Sequence, residues 1–484
     1  KALAEHNLTL LLNCTCQKAE MELEQIRSVT GWQLTTQVYH RVAANIFIDC
    51  SGDAILAPLS GALFRMGRES RAEYGESIAP EIADNCTMGM TCLFQSRKYP
   101  TPQPYSPPAW AYRYDACSDL PYDQAGHGWF EMGYGWIELG GDGDSITDTE
   151  QCREELLKIT FGVWDHIKNR CPNRHKAENW ALDWVQFLPA KRESRRYIGA
   201  HVLTQNDVAS GGHFADLVAY GGWTMDDHHP AGFNAVRLNA PATIFHHSPS
   251  PYGIPYRSLY SRNIRNLMFA GRDASCSHAA MSSTRVMGTA CSMAQAVGTA
   301  AAIAIRQGLE PAGVCDHMEE LQQALICDDA YLPWVTQKYS PLTRQAFLSA
   351  SQGDPEPVRD GVNRPVEKEL HAWIAHPGDW IAYRFANPMP LHQVSLVLDS
   401  ALERNIAMSY HQADDQLSAP PPELLKAFRL EGLVDGQWLE LARQSANYQR
   451  LVRVAIGREL SGIRLALDGT WGAESTRLFA FYCD

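Results

Sequence analysis

No two of the thirteen cysteines stand in a C-x-x-C spacing; the nearest pair is Cys14 and Cys16. That absence excludes a redox disulfide of the usual spacing, a zinc ribbon and a ferredoxin-type cluster. It leaves most of the thiols as small buried hydrophobes. Positive charge is also short: 42 Lys and Arg against 55 Asp and Glu leave a net charge of −13. Nucleic acid and anionic membrane, which both need a basic footprint, are therefore not expected partners. No H-E-x-x-H or comparable ligand spacing occurs, and no metal is expected. No internal repeat and no secretory or transit segment is visible, so the sequence leaves the compartment open, cytoplasmic or exported, and it leaves the oligomeric state open too. Residues 286–305 form an uncharged run long enough for a membrane span. The run is dominated by Ala, Gly, Ser and Thr and carries Gln295, so a buried helix is expected there and no transmembrane span.

What is present is an ordinary globular composition, 45% hydrophobic and 20% charged over 484 residues, enough for two or three domains with a large core. Apolar or β-branched runs at 8–13, 26–30, 35–40 and 42–49 read as short strands, the last closing on Cys50-Ser51-Gly52-Asp53. Residues 100–108 are a proline-rich loop. Glycines interleaved with aromatics over 126–139, Trp136 among them, suggest either a flat apolar wall of a substrate pocket or a packed sheet edge. Thr147 and Glu150 have capping-box spacing, and Cys152, Leu156, Ile159, Val163 and Ile167 mark one face of a helix reaching about residue 169.

Two polar clusters follow. Arg192-Glu193-Ser194-Arg195-Arg196 offers Arg195 or Arg196 to an anionic group, or is a salt-bridged run. In the second, Asp226-Asp227-His228-His229, an Asp beside a His can fix its tautomer and raise its basicity, as a general base requires. Either His228 or His229 could be that base, and His229 is also a candidate substrate contact. Metal binding is the rival reading because His246 and His247 follow, but adjacent histidines on a strand point to opposite faces.

The stretch 266–308 is the organising element. A short apolar strand at 267–270 leads through Gly271-Arg272-Asp273 into a long helix of small residues. Ser282, Ser283 and Thr284 are its N-cap candidates, and Arg306, Gly308 and Pro311 supply its stop. Gly288, Cys291, Gln295, Gly298 and Ala302 make one narrow face that another backbone could approach closely. Beyond it 318–326 reads as a helix, and the proline-containing 351–366 as a linker. After that come short strands at 380–385, 394–398, 428–430, 451–456, 463–467 and 478–481, a pattern that suggests a small β-sandwich.

The strand–G-R-D turn–helix of 267–308, with the Ile48-Asp49-Cys50-Ser51-Gly52-Asp53 turn, closely resembles the flavin-binding segments of FAD-dependent oxidoreductases with the glutathione-reductase-like two-part fold. Cys50 and Ser51 depart from the Ala and Thr common there. The resemblance implies that FAD is the cofactor, with Gly52 and Asp53 beside the dinucleotide and Gly271, Arg272 and Asp273 at the ribityl and phosphate region. It places Arg285, Val286, Met287 and Gly288 under the N1–C2=O edge of the flavin, where a helix N-terminus offers N–H donors and positive dipole. It also brings Asp226, Asp227 and His228 toward the active site, picks out His228 as the expected base, and makes His278 a second acid–base candidate. It implies an opening strand–GxGxxG–helix, which is not found in the first fifty residues and is expected to precede Lys1. The tail resembles galactose-binding-like jelly rolls appended to carbohydrate enzymes.

The expected fold class is accordingly α/β. A Rossmann-like FAD-binding fold, incomplete at its N-terminus, is assigned to 1–75 and 251–350, with an inserted α+β substrate domain at 76–250. The linker is 351–366 and a jelly-roll-like β-sandwich occupies 367–484. The expected activity is hydride transfer between flavin N5 and a small organic substrate, a carbohydrate or derivative being one candidate. A carbohydrate-binding protein with a degenerate flavin fold, and a non-redox hydrolase or lyase, stand as alternatives.

Overall fold

The structure, a computed structural model, describes residues 4–121, 130, 133–404, 417 and 419–484. Six residues of the glycine/aromatic stretch, Gly126 to Trp129 with Glu131 and Met132, lie outside the described residues. The chain divides into two compact units, Lys1–Gln322 and Gln323–Asp484.

In the first unit, β1 (Cys14–Glu22), β2 (Gln25–Gln33) and β3 (Val38–Ala43) form an antiparallel meander. Residues 8–13, expected as a strand, are outside it, and the run expected at 42–49 is split between β3 and the short β4 (Phe47–Asp49). After α1 (Leu56–Ser60), β5 (Met90–Thr91) pairs with β6 (Glu138–Leu139) and with β7 (Ala190–Lys191). Between them runs α2 (Thr149–Asp165), whose apolar face is buried through Leu156, Ile159 and Val163. It begins at Asp148 with no side-chain cap, so the expected Thr147–Glu150 box does not form.

Next come β8 (Leu217–Gly221), the hairpin partners β9 (Met225–His228) and β10 (Thr243–His246), and β11 (Tyr252–Pro255), which pairs with β8. The flavin strand of the sequence reading is β12 (Leu267–Phe269). It lies parallel to β4, with Leu267, Met268 and Phe269 opposite Phe47, Ile48 and Asp49. All three β12 residues are buried, as a parallel strand covered on both faces requires.

The long helix is in two pieces. α3 (His278–Thr284) is capped by Ser277, whose hydroxyl accepts from the N–H of Ala280 at 3.1 Å. Ser282, Ser283 and Thr284, expected as caps, are instead its last turn. The helix breaks at Arg285 and Val286, the latter extended at φ −68° and ψ 146°, and restarts as α4 (Met287–Gln307), which ends on the left-handed Gly308. α4 is the one helix among the described residues long and apolar enough to cross a membrane. Its Met293, Ala296, Val297, Ala300, Ile303 and Ala304 are buried within the first unit. The small-residue face of Gly288, Cys291, Gln295, Gly298 and Ala302 is exposed. α5 (Met318–Cys327) matches its expected helix.

The second unit contains β13 (Phe347–Ala350), β14 (Trp373–Ala375), β15 (Trp380–Leu398), β16 (Leu425–Val434), β17 (Gln437–Gln444), β18 (Leu451–Thr470) and β19 (Thr476–Cys483), all antiparallel. Four of the expected strands are pairs of pieces: 380–385 and 394–398 are one strand, β15, and 451–456 and 463–467 are one strand, β18. The first half of β15 pairs with β13 and the end of β18, and the second half with β19 and the start of β18. A register shift between Arg384 and Met389 separates the halves. The two long strands thus pass from one layer to the other of a β-sandwich, and both layers close on one core that includes Trp373, Tyr383, Leu396, Phe428, Leu465 and Phe481. The expected linker 351–366 lies inside this unit, with Val358 in its core.

Candidate functional site

Parallel pairing of β4 and β12 brings their two following turns side by side. Asp49 organises the first: its carboxylate accepts from the N–H of Ser51 at 2.8 Å and of Leu56 at 3.0 Å, and from the Tyr197 hydroxyl at 2.6 Å. In the second turn Gly271, at φ +116°, takes a conformation open to glycine. Asp273 is fully buried. One carboxylate oxygen accepts from the N–H of Gly52 at 3.2 Å, and the other makes no hydrogen bond among the described residues. Burial, and then the charge of Asp49, push the Asp273 carboxyl well above its usual range.

Asp53 is spoken for. Its oxygens meet Lys191 Nζ at 2.5 Å, Ser194 Oγ at 2.7 Å and Arg272 Nη2 at 2.9 Å. Gly52 lies in the left-handed region at φ +72°, which favours glycine there, and a Cβ on it would meet the movable end of Arg272, with Nε 2.6 Å away. Arg195 is half-buried, with its guanidinium 5.6 Å from the Phe64 ring centre. Arg196 is wholly buried between Glu69 at 2.8 Å and Glu193 at 3.1 Å and also binds the Cys276 carbonyl, which fills the role of a structural cation.

The break between α3 and α4 places Arg285 against β9. Alternation along that strand separates its acidic residues. Asp226 and His228 face Arg285, whose Nη2 is 3.1 Å from both Asp226 Oδ2 and His228 Nε2. Asp227 faces His278 instead, 3.1 Å from its Nε2. The tightest partner of His228 is Glu138 on β6, with Oε2 2.6 Å from Nδ1; Asp226 Oδ1 stands 3.4 Å from Nε2. Arg192, just beyond β7, approaches Glu138 at 3.2 Å. His278 is held at its other nitrogen by Glu193 at 2.8 Å. Around His228, Glu138 Oε1, Asp226 Oδ1 and Arg285 Nε are buried and make no hydrogen bond among the described residues.

These contacts set the charges. For His228, burial lowers proton affinity, but the neighbouring carboxylates of Asp226 and Glu138 outweigh it and the net shift is upward. For His278 burial is outweighed by the charge of Glu193 and the bond to Asp227, and its value rises to about 10. Burial and the nearby Arg192 charge hold Arg285 below the usual arginine value.

The structure thus brings together His228, Asp226 and Arg285, and separately His278 with Asp227. Sequence reasoning did not assign Glu138, Glu193 or Arg192 to the site; they reach it only through the small β5–β6–β7 sheet, and no local spacing signals them. His229 accepts the N–H of Ala231 on Nδ1 at 3.1 Å within its own turn. Trp136 is partly buried, with its ring centre 6.1 Å from that of Phe233, and packs against the core of the inserted region. Met287 and Gly288 begin α4 exposed, with no side chain capping the helix, and Val286 is half-buried beside them.

A family model described as FAD dependent oxidoreductase matches residues 1–325. The chain belongs to the FAD-dependent oxidoreductase family. No curated protein matches it. Similar solved structures include the family 32 carbohydrate-binding module from Streptococcus pneumoniae EndoD, at 11% identity and TM-score 0.24, covering 30% of this chain and 99% of that one. Another is chitosan-binding module 1 from a chitosanase/glucanase of Paenibacillus sp. IK-5, at 11% identity and TM-score 0.22, covering 30% of this chain and 99% of that one. A third is the family 32 module from C. perfringens NanJ in complex with galactose, at 6% identity and TM-score 0.22, covering 29% and 95%.

The cofactor of this oxidoreductase family is FAD. The residues present fit it: Asp273 keeps one buried carboxylate oxygen with no hydrogen bond, Gly271 leaves the adjoining backbone bare, and the first turn of α4 has uncapped N–H groups. Asp273 would hold a ribityl hydroxyl and the start of α4 the flavin edge.

Proposed function

We propose that this oxidoreductase transfers a hydride between a carbon of a small organic substrate and flavin N5, with His228 moving the accompanying proton. When bound, FAD supplies the two-electron chemistry. The observation that carries the assignment of the base is the unequal treatment of the two histidines. His278 is clamped by carboxylates at both nitrogens and stays an imidazolium at neutral pH. It therefore serves as a fixed positive charge. His228 has its short carboxylate contact at Nδ1 only, from Glu138, while Asp226 stands off at 3.4 Å from Nε2. Its Nε2 faces the Arg285 guanidinium, which can only donate, so the neutral ring that accepts there carries its proton on Nδ1. Nε2 is then the atom that takes or gives the substrate proton, with Asp226 stabilising the charged ring. Arg285 and the unbonded oxygens of Glu138 and Asp226 would orient a substrate hydroxyl.

His228→Ala is expected to slow flavin reduction by substrate ~10²–10⁴-fold while leaving the flavin absorbance of the purified protein intact. Reduction at the wild-type rate would remove His228 from the role. A colourless protein that takes up no added FAD would remove the reading altogether.

A further inference from the structure

Far from this site in sequence, Cys117, His166 and Cys171 converge in the inserted region. Cys117 Sγ is 3.4 Å from His166 Nε2 and 3.9 Å from Cys171 Sγ, and the three ligand atoms all lie within 4.8 Å of one another. His166 and Cys171 are buried, and Cys117 is partly exposed. We propose that these three side chains form a structural site for a thiophilic divalent cation, zinc by preference, with water completing a tetrahedron.

The two separations from Cys117 are those of a tetrahedral edge, and Cys171 Sγ and His166 Nε2 lie within 4.8 Å of each other. With Zn–S of about 2.3 Å and Zn–N of about 2.0 Å, two bound sulfurs lie about 3.8 Å apart and a sulfur and an imidazole nitrogen about 3.5 Å apart. The imidazole is set for the task. His166 Nδ1 is 2.9 Å from the Tyr114 carbonyl, which can only accept, so the proton is on Nδ1 and the Nε2 lone pair points at the thiols. A backbone acceptor on the far nitrogen is the usual orienting partner of a metal-bound histidine. Two thiols and an imidazole are soft ligands, which favour zinc over calcium or magnesium.

The backbone makes the cluster from a spacing that no common motif contains. α2 ends in a single π-helical turn, His166–Arg170, and the N–H of Cys171 reaches back to the His166 carbonyl at 2.7 Å. That wider turn brings residue 171 over residue 166. Lys168 anchors the turn from its other side through the carbonyls of Ala177, Glu178 and Trp180 at 2.7–2.9 Å. The bound cation would tie the 114–117 segment to the end of α2, and binding would displace both thiol protons.

The test is cobalt titration of the full-length chain after chelation and reduction, with elemental analysis of the protein as purified. One equivalent of zinc, and a cobalt spectrum with thiolate charge-transfer and tetrahedral d–d bands, are expected. Cys117→Ser, at the partly exposed position, should lose the zinc and most of the charge-transfer band with its circular dichroism unchanged. Cys86→Ser, outside the cluster, should keep both. A wild-type cobalt spectrum without thiolate bands overturns the proposal, as does unchanged metal content in Cys117→Ser. A Cys117–Cys171 disulfide in the isolated protein that takes up no metal after reduction would overturn it as well.

Discussion

Glu138 Oε2 lies 2.6 Å from His228 Nδ1 across 90 residues of sequence, and both side chains are buried. A carboxylate so placed fixes the tautomer of the ring and raises its affinity for a proton.

The first prediction concerns that pair. Glu138→Gln keeps the shape and removes the charge that raises His228. A base must be neutral to act, so the rate rises with pH through its pKa. The acidic limb of the pH profile for flavin reduction should therefore move to lower pH, by about one unit. An unmoved limb would show that Glu138 does not govern the group being titrated.

The second concerns stability. His278 binds its proton with a value of about 10 in the folded chain against 6.5 unperturbed. The folded state therefore gains stability that is full below pH 6.5 and is lost as pH rises toward 10. The urea midpoint should fall across that window, and His278→Asn should flatten the slope. The same substitution takes the cation from Asp227 and leaves Glu193 with Arg196 alone, and should cost ~3–5 kcal/mol at neutral pH. Equal slopes for the two proteins would contradict the charge assignment.

The third concerns Asp273, whose carboxyl is held well above 3.8 by burial and by Asp49. The stability this group contributes is present below pH 3.8 and lost as pH rises through its folded value. Asp273→Asn should therefore raise the thermal midpoint of FAD-free protein at neutral pH. Asp273→Ala should weaken FAD roughly tenfold or more, the loss of one or two hydrogen bonds to a buried group. Calorimetry of both variants checks the pair of outcomes, and undiminished FAD affinity in Asp273→Ala would take Asp273 out of the cofactor site.

How far each element could be read in advance follows from the range of the forces that make it. The β12 strand, the Gly271–Asp273 turn and the stop at Gly308 are local, and each lies where its residues put it. The break at Arg285 and Val286 was not legible, because serines and a threonine before it look like caps. Ser277 has that role because its hydroxyl reaches the N–H of Ala280. The strands β15 and β18 looked like pairs of short strands because polar residues interrupt their apolar runs, and pairing on both sides of the register shift keeps them continuous.

The order of residues alone determined the two glycine turns, the apolar strand between them, the small-residue helix and the Asp–His pairs, since these depend on backbone freedom, hydrophobic period and chemical type within a few positions. Only the tertiary structure decided that Asp226 serves His228 while Asp227 serves His278, that Glu138 and Glu193 complete those pairs, and that Arg196 is a buried structural cation. Strand alternation and contacts across 85 to 90 residues set those choices, and neither leaves a mark in the local sequence.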